Sequence, residues 1–413
     1  MRTNDSLACL GGAPVRSVTY PAWPYATERE RELLLEVLDS RNWWSTQGTK
    51  VREFERRWGE FNEVPGSIAV TNGSHTLEIA LLAAGVGEGD EVIVPNWTFV
   101  ATAAAVLMVQ AHPVLVDVDR NTGCMDSRKA RAAVTPRTKA IIPVHIAGSM
   151  ADMDAINALA KEYGIAVIED CAHAHGSTWK GVAAGALGDA GSFSFQSSKL
   201  MTGGEGGAII SKSADFLARA RSISDCGRRP GEWFYSHFTL GGNYRMTEWQ
   251  GAVLLAQLER FPDQQKTRSR NADFLNEHLP RIPGVHPQHR DARCTSQGNY
   301  CYVVRIDEDE FGVSRDRTRE ALLAEGISLT MAYPALSTLD LFVNPNGFAP
   351  RFKNRAGMQD FATADLAVSR ELAETTLWFN TAVLMGSQDD AADIVYAMEK
   401  IHTHRFALKA EVS

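Results

Sequence analysis

The sequence has no long apolar run. None of its segments reaches the roughly 18 uncharged apolar residues that a membrane-spanning helix needs. The first residues, MRTNDSLACLGG, also lack the apolar core of a secretory signal peptide. We therefore expect a cytoplasmic protein that does not bind a membrane.

Cysteine is scarce and irregularly spaced. This pattern excludes the regular frameworks of disulfide-rich domains and of zinc-binding modules. We expect reduced thiols and no metal site, and we interpret Cys171 as a small buried core residue rather than a nucleophile. The six cysteines form no C-x-x-C pair and are Cys9, Cys124, Cys171, Cys226, Cys294 and Cys301.

Positive charge is not in excess either. The formal net charge is -8, whereas proteins that bind nucleic acid present clustered lysine and arginine to the phosphates. The densest basic cluster, RFKNR at 351–355, is interpreted as a solvated loop. The composition therefore argues against nucleic acid as a partner.

What the sequence does contain is an alternation of strands and helices. Short apolar runs typical of buried strands are separated by helical segments, and they lie at 67–70, 91–95, 114–119, 140–145 and 165–170. This spacing predicts βαβ units and a mostly parallel sheet. A nicotinamide dehydrogenase would carry G-x-G-x-x-G after its first strand, and the turn TNGSH does not supply it.

That turn, at residues 71–75, predicts an anion site. It opens a helix, so that free backbone N–H groups and the helix dipole meet at one point, and Gly73 lets the chain approach an anion closely. We assign Gly73, Ser74 and His75 to a phosphate. The alternative, in which Ser74 only caps its helix, stays open on the local sequence.

The stretch from Ile165 to Ala208 concentrates groups suited to catalysis. IAVIED predicts a buried strand that delivers Glu169 and Asp170 to the carboxyl edge of the sheet, where α/β proteins bind ligands. AGSFSFQSSK predicts a second strand that releases Lys199 into a glycine-rich turn. A lysine in a dry site can lose its proton and condense with an aldehyde, while a buried carboxylate keeps a pyridine nitrogen protonated. This pair is what pyridoxal 5'-phosphate (PLP) requires.

Several blocks of the sequence together resemble one enzyme family. EDCAHAHG at 169–176 and SFSFQSSKLMTGGEGG at 192–207 are similar to the DegT/DnrJ/EryC1/StrS family of PLP-dependent sugar aminotransferases. The closer resemblance is to its ketocyclitol aminotransferases, of the scyllo-inosose and 2-deoxy-scyllo-inosose type, and to the related 3-amino-5-hydroxybenzoate synthases. It extends from GGAPVR at 11–16 through GGNYRMTEWQGA at 241–252 to YPAL at 333–336. The resemblance implies a fold-type I PLP transferase, an α/β protein with a seven-strand mixed sheet and a smaller C-terminal α/β domain.

The resemblance also implies roles for individual residues. Lys199 would bind the cofactor aldehyde and move protons, and Asp170 would hold the pyridine nitrogen. Phe99 would stack on the ring, and His173 would donate to the phenolic oxygen, where many members carry glutamine. His175 stays open as a competitor for this last role.

Further implied roles concern the phosphate, the partner subunit and the substrate. Ser194 matches a serine that contacts the phosphate. The loop 227–246 would reach a partner subunit and bring Asn243 and Arg245 to its phosphate, which implies a homodimer with shared active sites. Gln196 replaces the histidine common in sugar-nucleotide members, and this replacement favours a ketocyclitol substrate.

The predicted organisation has three parts. An irregular N-terminal arm (1–25) packs on the body or on a neighbouring subunit, and it precedes a large PLP-binding domain (26–260) and a small C-terminal domain (261–413). The last boundary depends on FPDQQ, which we interpret as a break between a helix that ends near Arg260 and another at 264–279.

The sequence thus predicts a PLP-dependent aminotransferase. We expect it to move an amino group from an amino acid, with L-glutamine favoured, to a ketocyclitol in aminoglycoside or aminocyclitol antibiotic biosynthesis. Two alternatives stay open: an aminotransferase of nucleotide-linked ketosugars, and an enzyme like 3-amino-5-hydroxybenzoate synthase. The sugar dehydratases of this family replace the lysine by histidine, so the presence of Lys199 argues against a dehydratase.

Overall fold

Helices and strands alternate along most of the chain, as the apolar periodicity predicts. The computed structural model of the protein describes residues 6–344, 358–361 and 363–410, so the basic cluster at 351–355 lies outside the described residues. The described helices are α1 (Glu28–Ser40), α2 (Lys50–Phe61), α3 (Gly73–Ala83), α4 (Ala101–Met108), α5 (Ser127–Ala132), α6 (Met153–Tyr163), α7 (Ala214–Ser224), α8 (Glu248–His278), α9 (Glu308–Phe311), α10 (Arg315–Ala324), α11 (Asp340–Val343), α12 (Ala367–Thr375), α13 (Thr381–Leu384), α14 (Gln388–Thr403) and α15 (Arg405–Ala410).

The strands are shorter than the helices, and three sheets contain them. They are β1 (Gly66–Val70), β2 (Glu91–Pro95), β3 (His112–Val116), β4 (Thr138–Ile141), β5 (Ala166–Asp170), β6 (Thr178–Trp179), β7 (Val182–Ala183), β8 (Ala190–Ser194), β9 (Gly207–Ser211), β10 (Val285–Pro287), β11 (Cys294–Ser296), β12 (Cys301–Ile306), β13 (Leu329–Thr330) and β14 (Thr376–Asn380). Single 3-10 turns occur at Ala8–Leu10, Ile146–Gly148, Leu279–Arg281 and Leu336–Thr338.

Seven of the described strands form the central sheet, in the order β1-β9-β8-β5-β4-β2-β3. β9 runs antiparallel to both of its neighbours, and the other pairs are parallel. The mostly parallel, mixed seven-strand sheet is therefore confirmed. Because β5 and β8 are parallel neighbours, their carboxyl ends lie side by side at one edge of the sheet.

Both faces of this sheet are buried. Ile93 packs in one apolar cluster with residues of α1, α2, α6 and α8, while its neighbours Val92 and Val94 pack in a second cluster with residues of α3, α4 and α7. Successive side chains of a strand point to opposite faces, so helices must cover both sides. This explains why the strand sequences are continuous apolar runs.

The C-terminal part contains a separate antiparallel sheet. Its order is β10-β12-β14-β13, and its apolar residues form a third cluster with α10 and α14. The sequence predicts a strand at 300–307 and helices at 315–325 and at about 388–402, which correspond to β12, α10 and α14, but it does not predict the central strand β14. Leu336, Phe342 and Leu366 pack instead in the cluster of the large sheet, so the C-terminal chain returns to the large domain before it completes the small one.

The predicted break between two helices at FPDQQ is wrong. α8 runs through this sequence as one helix of 31 residues, with Pro262 inside it. Proline removes one amide donor and disfavours a helix. Here Phe261 packs in the core of the large sheet and Leu275 in the core of the small one, and this burial on both sides of Pro262 outweighs the local preference. The boundary proposed at 260 therefore falls inside a helix that contributes to both cores.

The described residues of the N-terminal arm pack on the body of their own chain. Leu7 belongs to the small-domain core, and Arg16 forms ion pairs with Asp390 and Asp393. Trp23 donates its indole N–H to the carbonyl oxygen of Lys199 at 3.2 Å. The arm therefore reaches the turn that carries the predicted catalytic lysine.

None of the helices in the described ranges combines the length and the apolar character that crossing a membrane would require.

Candidate active site

The carboxyl ends of β5 and β8 open into a cavity of about 400 Å³. Asp170 ends β5, and Lys199 lies in the turn five residues after the end of β8. The start of α3 and the C-terminal residues Tyr300 and Tyr333 contribute other walls. The lining residues are Asn72, Gly73, Ser74, Leu77, Thr98, Phe99, Ala101, Thr102, Val144, Asp170, Ala172, His173, Ser194, Gln196, Ser198, Lys199, Glu205, Tyr300 and Tyr333.

Lys199 is the buried amine that the sequence predicts. Its side chain is 9% exposed, and its Nζ lies 4.6 Å from the centre of the Tyr300 ring. Burial disfavours the charged form and lowers the pKa of Lys199 to about 8, although the nearby Asp170 carboxylate opposes this shift. At neutral pH a useful fraction of the amine is therefore unprotonated and able to attack an aldehyde.

Asp170 is fixed by two donors on its carboxylate. Thr102 donates its hydroxyl to Oδ2 at 2.9 Å, and the backbone N–H of Ala172 donates to Oδ1 at 3.1 Å. Burial raises the pKa of Asp170, while these two hydrogen bonds and the nearby Lys199 lower it. A buried carboxylate of this kind gains most from a cationic partner, such as a protonated pyridine.

His173 lines the cavity, but protein groups occupy both of its ring nitrogens. The N–H of Ala147 donates to Nδ1 at 3.2 Å, and Nε2 lies 3.1 Å from the hydroxyl of Tyr333. The ring stacks on Tyr300 at 4.0 Å between centroids. His175 does not compete for its place, because it is fully buried between Trp58, Phe193 and Phe195 and lies outside the cavity lining.

The start of α3 has the donors expected of a phosphate site. The amides of Gly73 and Ser74 have no acceptor among the described residues, and Ser194 lies beside them. A Cβ at Gly73 would come 2.6 Å from Cβ of Ser194, so only glycine permits this approach. The open alternative for Ser74 is wrong, since Asn72 caps the helix by accepting from the amide of His75 at 2.9 Å.

His75 departs from its predicted role. Its amide donates to the side chain of Asn72, and its ring bonds Thr71 Oγ1 at 2.7 Å and packs on Tyr244. It does not line the cavity. The sequence placed it in the phosphate turn because it adjoins Ser74, whereas the helix turns its side chain away. The geometry therefore supports Gly73 and Ser74 but not His75 as phosphate contacts.

The two aromatic residues before α4 have different environments, in agreement with the resemblance. Phe99 is 53% exposed and lines the cavity, where its ring is free to cover a planar ligand. Trp97 is 1% exposed, donates its indole N–H to the carbonyl oxygen of Tyr333 and packs edge-on against Trp378. Trp97 is therefore a core residue that supports Tyr333.

Asn243 and Arg245 do not line the cavity of their own chain. Asn243 is exposed, in a β-bridge with Asp225. Arg245 forms an ion pair with Asp225, and its guanidinium carbon lies 5.4 Å from the centre of the Trp44 ring. Of the two residues, Asn243 is therefore the more exposed.

Glu169 and Cys171, on either side of Asp170, are structural. Glu169 is fully buried and accepts from the amides of Gly185, Leu187 and Gly188, so it fixes the loop between β7 and β8. Burial, with the nearby Glu169 and Asp170, raises the pKa of Cys171 well above its usual value and leaves an inert thiol.

The sequence did not reveal four residues that complete the cavity. Thr102 had a local indication, because it lies four positions after Thr98, and the hydroxyls of the two residues are 3.0 Å apart. Glu205 and Tyr333 lie in the blocks TGGEGG and YPAL, but the resemblance assigned them no role, and Tyr300 had no indication. Two of them come from the C-terminal part of the chain, and only tertiary packing brings them to Lys199.

The residues present fit PLP. Gly73, Ser74 and Ser194 offer donors for a phosphate, Asp170 a partner for the pyridine nitrogen, Phe99 a face for the ring and Lys199 an amine for the aldehyde. A mostly parallel α/β sheet with this lysine and carboxylate at its carboxyl edge defines a PLP-dependent transferase. A model of the DegT/DnrJ/EryC1/StrS aminotransferase family matches residues 24–398, and the chain belongs to that family. It is a PLP-dependent aminotransferase.

Similar proteins include enzymes of cyclitol and sugar metabolism. The L-glutamine:2-deoxy-scyllo-inosose aminotransferase of Streptomyces lividus is 37% identical over 98% of this chain and 100% of its own. The crystal structure of 3-amino-5-hydroxybenzoic acid synthase has a TM-score of 0.86 and 34% identity, over 95% of this chain and 100% of that one. The structure of DesI in the presence of its TDP-sugar product has a TM-score of 0.83 and 31% identity, over 98% of both chains.

Proposed function

We propose that the protein transfers the amino group of L-glutamine to a ketocyclitol of the scyllo-inosose type, as a step in aminocyclitol antibiotic biosynthesis. The full-length similarity to the enzyme of Streptomyces lividus, whose name gives both substrates, supports this choice.

The charge of the cavity is the structural observation that carries the proposal. Among the described residues, Lys199 is the only cation in the lining, and Glu205 adds a carboxylate on the exposed side. A nucleotide-linked sugar brings a diphosphate, which arginine and lysine side chains bind most strongly. A ketocyclitol is an uncharged ring that needs only hydrogen bonds.

Uncharged donors and acceptors are present where such a ring would lie. The side-chain oxygen of Gln196 accepts from both the amide and the hydroxyl of Ser198, each at 2.8 Å. No described residue accepts a hydrogen bond from the NH₂ group of Gln196, so this group can donate to a substrate hydroxyl. The hydroxyls of Ser198 and Tyr300, 3.0 Å apart, extend this polar wall.

The chemistry of the site follows from its buried groups. When bound, PLP supplies an aldehyde that takes up the amino group and a protonated ring that draws electrons from the reacting carbon. Asp170 would hold the ring nitrogen in its protonated form. Lys199 would bind the aldehyde, and as an amine of lowered pKa it could take the proton from the donor's α carbon when it is not bound there. Burial keeps water from competing for this proton.

The test separates the two halves of the reaction. The purified PLP-loaded protein is mixed with L-glutamine, L-glutamate or L-alanine, and loss of the visible band reports amino transfer to the cofactor. The aminated protein is then mixed with 2-deoxy-scyllo-inosose, with scyllo-inosose or with a TDP-linked ketosugar. We expect L-glutamine to discharge the band and a ketocyclitol to restore it, with the amine product detected by mass.

Each alternative has its own outcome in this test. If only the TDP-linked ketosugar restores the band, the keto substrate is a nucleotide-linked sugar and the ketocyclitol proposal is wrong. Recovery by neither ketone class, with donor chemistry intact, would favour an enzyme like 3-amino-5-hydroxybenzoate synthase.

We further propose a cytoplasmic homodimer with two shared sites. The loop 227–246 exposes large apolar side chains, among them Trp233 at 71% and Leu240 at 97% exposure. Apolar surface of this kind is typical of an interface. A two-fold dimer through this loop would cover these side chains and would bring Asn243 of each chain towards the other, where it could complete the phosphate site.

A further inference from the structure

The tautomer of His173 follows from its contacts. A backbone amide can only donate, so the hydrogen bond from Ala147 leaves Nδ1 with its lone pair. Burial, together with the nearby Lys199 and His175, holds the pKa of His173 well below its usual value, so the ring is neutral. A neutral ring carries one proton, which is therefore on Nε2.

The residue that fixes this tautomer, Ala147, is hydrogen-bonded at both its N–H and its carbonyl oxygen. Ala147 is fully buried, and its φ of +57° is left-handed, which is unfavourable for alanine. Its N–H donates to His173, and its carbonyl oxygen accepts from the amide of Tyr300 at 3.1 Å. The surrounding structure therefore keeps this amide directed at Nδ1.

The proton on Nε2 decides the role of the Tyr333 hydroxyl. Nε2 lies 3.1 Å from Tyr333 Oη, so His173 donates and the tyrosine oxygen accepts. Burial raises the pKa of Tyr333, so its hydroxyl keeps its own proton. Among the described residues this hydroxyl has no other partner, and Tyr333 lines the cavity beside Lys199 and Asp170. Its proton is therefore available to a ligand.

Tyr333 is rigidly placed for this purpose. Its carbonyl oxygen accepts from the indole N–H of Trp97 at 3.0 Å, and its ring packs on Trp378 at 5.0 Å between centroids. The rings of Phe99 and Tyr333 are 5.7 Å apart between centroids. The hydroxyl thus has one defined position at the cavity wall.

We propose that Tyr333, oriented by His173, donates the hydrogen bond to the phenolic oxygen of PLP. The other polar groups of the cofactor have partners elsewhere: the phosphate at the start of α3, the ring nitrogen at Asp170 and the aldehyde at Lys199. The phenolic oxygen is next to the aldehyde on the ring, and Tyr333 and Lys199 line the same cavity. His173, which the resemblance assigns to this oxygen, is then a positioning residue.

The experiment uses the pH titration of the visible band of the PLP-loaded protein, without any substrate. A donor to the phenolic oxygen stabilises its deprotonated form, so Tyr333→Phe should raise the apparent pKa of this band by about one unit. Tyr300→Phe is the matched control, because it removes a neighbouring cavity hydroxyl that bonds Ser198 and not His173. We expect the band of this control to titrate like that of the parent protein.

A second variant separates positioning from direct donation. His173→Leu should also raise the apparent pKa, and the double variant with Tyr333→Phe should shift it no further than Tyr333→Phe alone. Parent-like titration of Tyr333→Phe would overturn the proposal. So would a further shift in the double variant, because His173 would then donate directly. If His173→Leu does not fold, the comparison of the two tyrosine variants decides.

This inference rests on the cofactor and not on the keto substrate. A failure of the ketocyclitol proposal would leave the titration unaffected, since no ketone is present in it.

Discussion

At the scale of single residues, the depressed pKa of Lys199 has a measurable consequence. With a pKa of about 8 instead of 10.5, the fraction of free amine at pH 7.5 is a few hundred times larger. Because only the neutral amine condenses with an aldehyde, the rate of PLP capture by the cofactor-free protein should rise with pH and level off above about pH 8. Stopped-flow absorbance measures this rate, and a rise that continued to pH 10 would contradict the assigned pKa.

Lys199 should also be the only lysine that forms a stable adduct. Borohydride reduction of the PLP-loaded protein, followed by peptide mass analysis, should place the cofactor on Lys199. Lys199→Ala should abolish both the adduct and turnover. Lys180→Ala is the matched control, because Lys180 is 57% exposed and pairs with Asp154 on the surface, and it should retain both. An adduct on Lys180 would refute the assignment.

Asp170 and its neighbour Glu169 allow a paired comparison of carboxylates on one strand. Asp170→Asn should fold but lose at least about a hundredfold in transamination rate, a few kcal/mol in the barrier, because an amide cannot keep the pyridine nitrogen protonated. Glu169→Gln should instead lower the free energy of unfolding by about 1–3 kcal/mol, since it disturbs the hydrogen bonds of a buried carboxylate with three backbone amides and with His145, and keep its rate per bound PLP. Near parental rates for Asp170→Asn would exclude its role.

At the scale of elements, the start of α3 couples helix stability to phosphate binding. Asn72→Ala removes the N-cap and should cost about 1 kcal/mol of stability and weaken PLP binding, because the amides of Gly73 and Ser74 lose their fixed direction. Ser314→Ala removes the N-cap of α10, which lies outside the cavity lining, and should cost up to about 1 kcal/mol of stability without a change in PLP affinity. Denaturant unfolding and PLP titration measure the two effects. Equal PLP affinity in both variants would show that the start of α3 does not bind the phosphate.

The elements also differ in how far local sequence predicted them. The parallel strands were predictable because they are short apolar runs buried on both faces. The start of α1 is equally local, because Thr27 and Glu30, three positions apart, form a capping box at this helix. The continuation of α8 through Pro262 could not be predicted, because the helix is stabilised there by packing in two separate cores. A local stretch of sequence does not show this packing.

At the scale of the whole molecule, the shared-site proposal predicts complementation between inactive chains. Lys199→Ala and Asn243→Ala chains, mixed in equal amounts and allowed to exchange, should recover up to about a quarter of the parental activity, because half of the dimers are mixed and each has one intact site. Arg245→Ala tests the other candidate in the same way, although its ion pair with Asp225 lies within its own chain.

Size-exclusion chromatography and activity assays measure this outcome together. The recovered activity must appear only after subunit exchange, and each variant alone must stay inactive. Mixed dimers without activity would show that Asn243 serves its own chain or only the fold.

Local sequence was enough to predict the α/β class, the mostly parallel sheet and the sheet edge at which the catalytic groups lie. These features are local or depend on a general rule: apolar runs specify strands, and parallel strands bring residues at their carboxyl ends, such as Asp170 and Lys199, to one edge. The folded structure was needed to show that His173 and not His175 lines the cavity, and that Asn72 caps α3. It was also needed to show that Tyr333 contacts a histidine 160 positions away. Such contacts arise when distant segments pack to bury apolar surface, and this packing leaves no periodic pattern in the sequence.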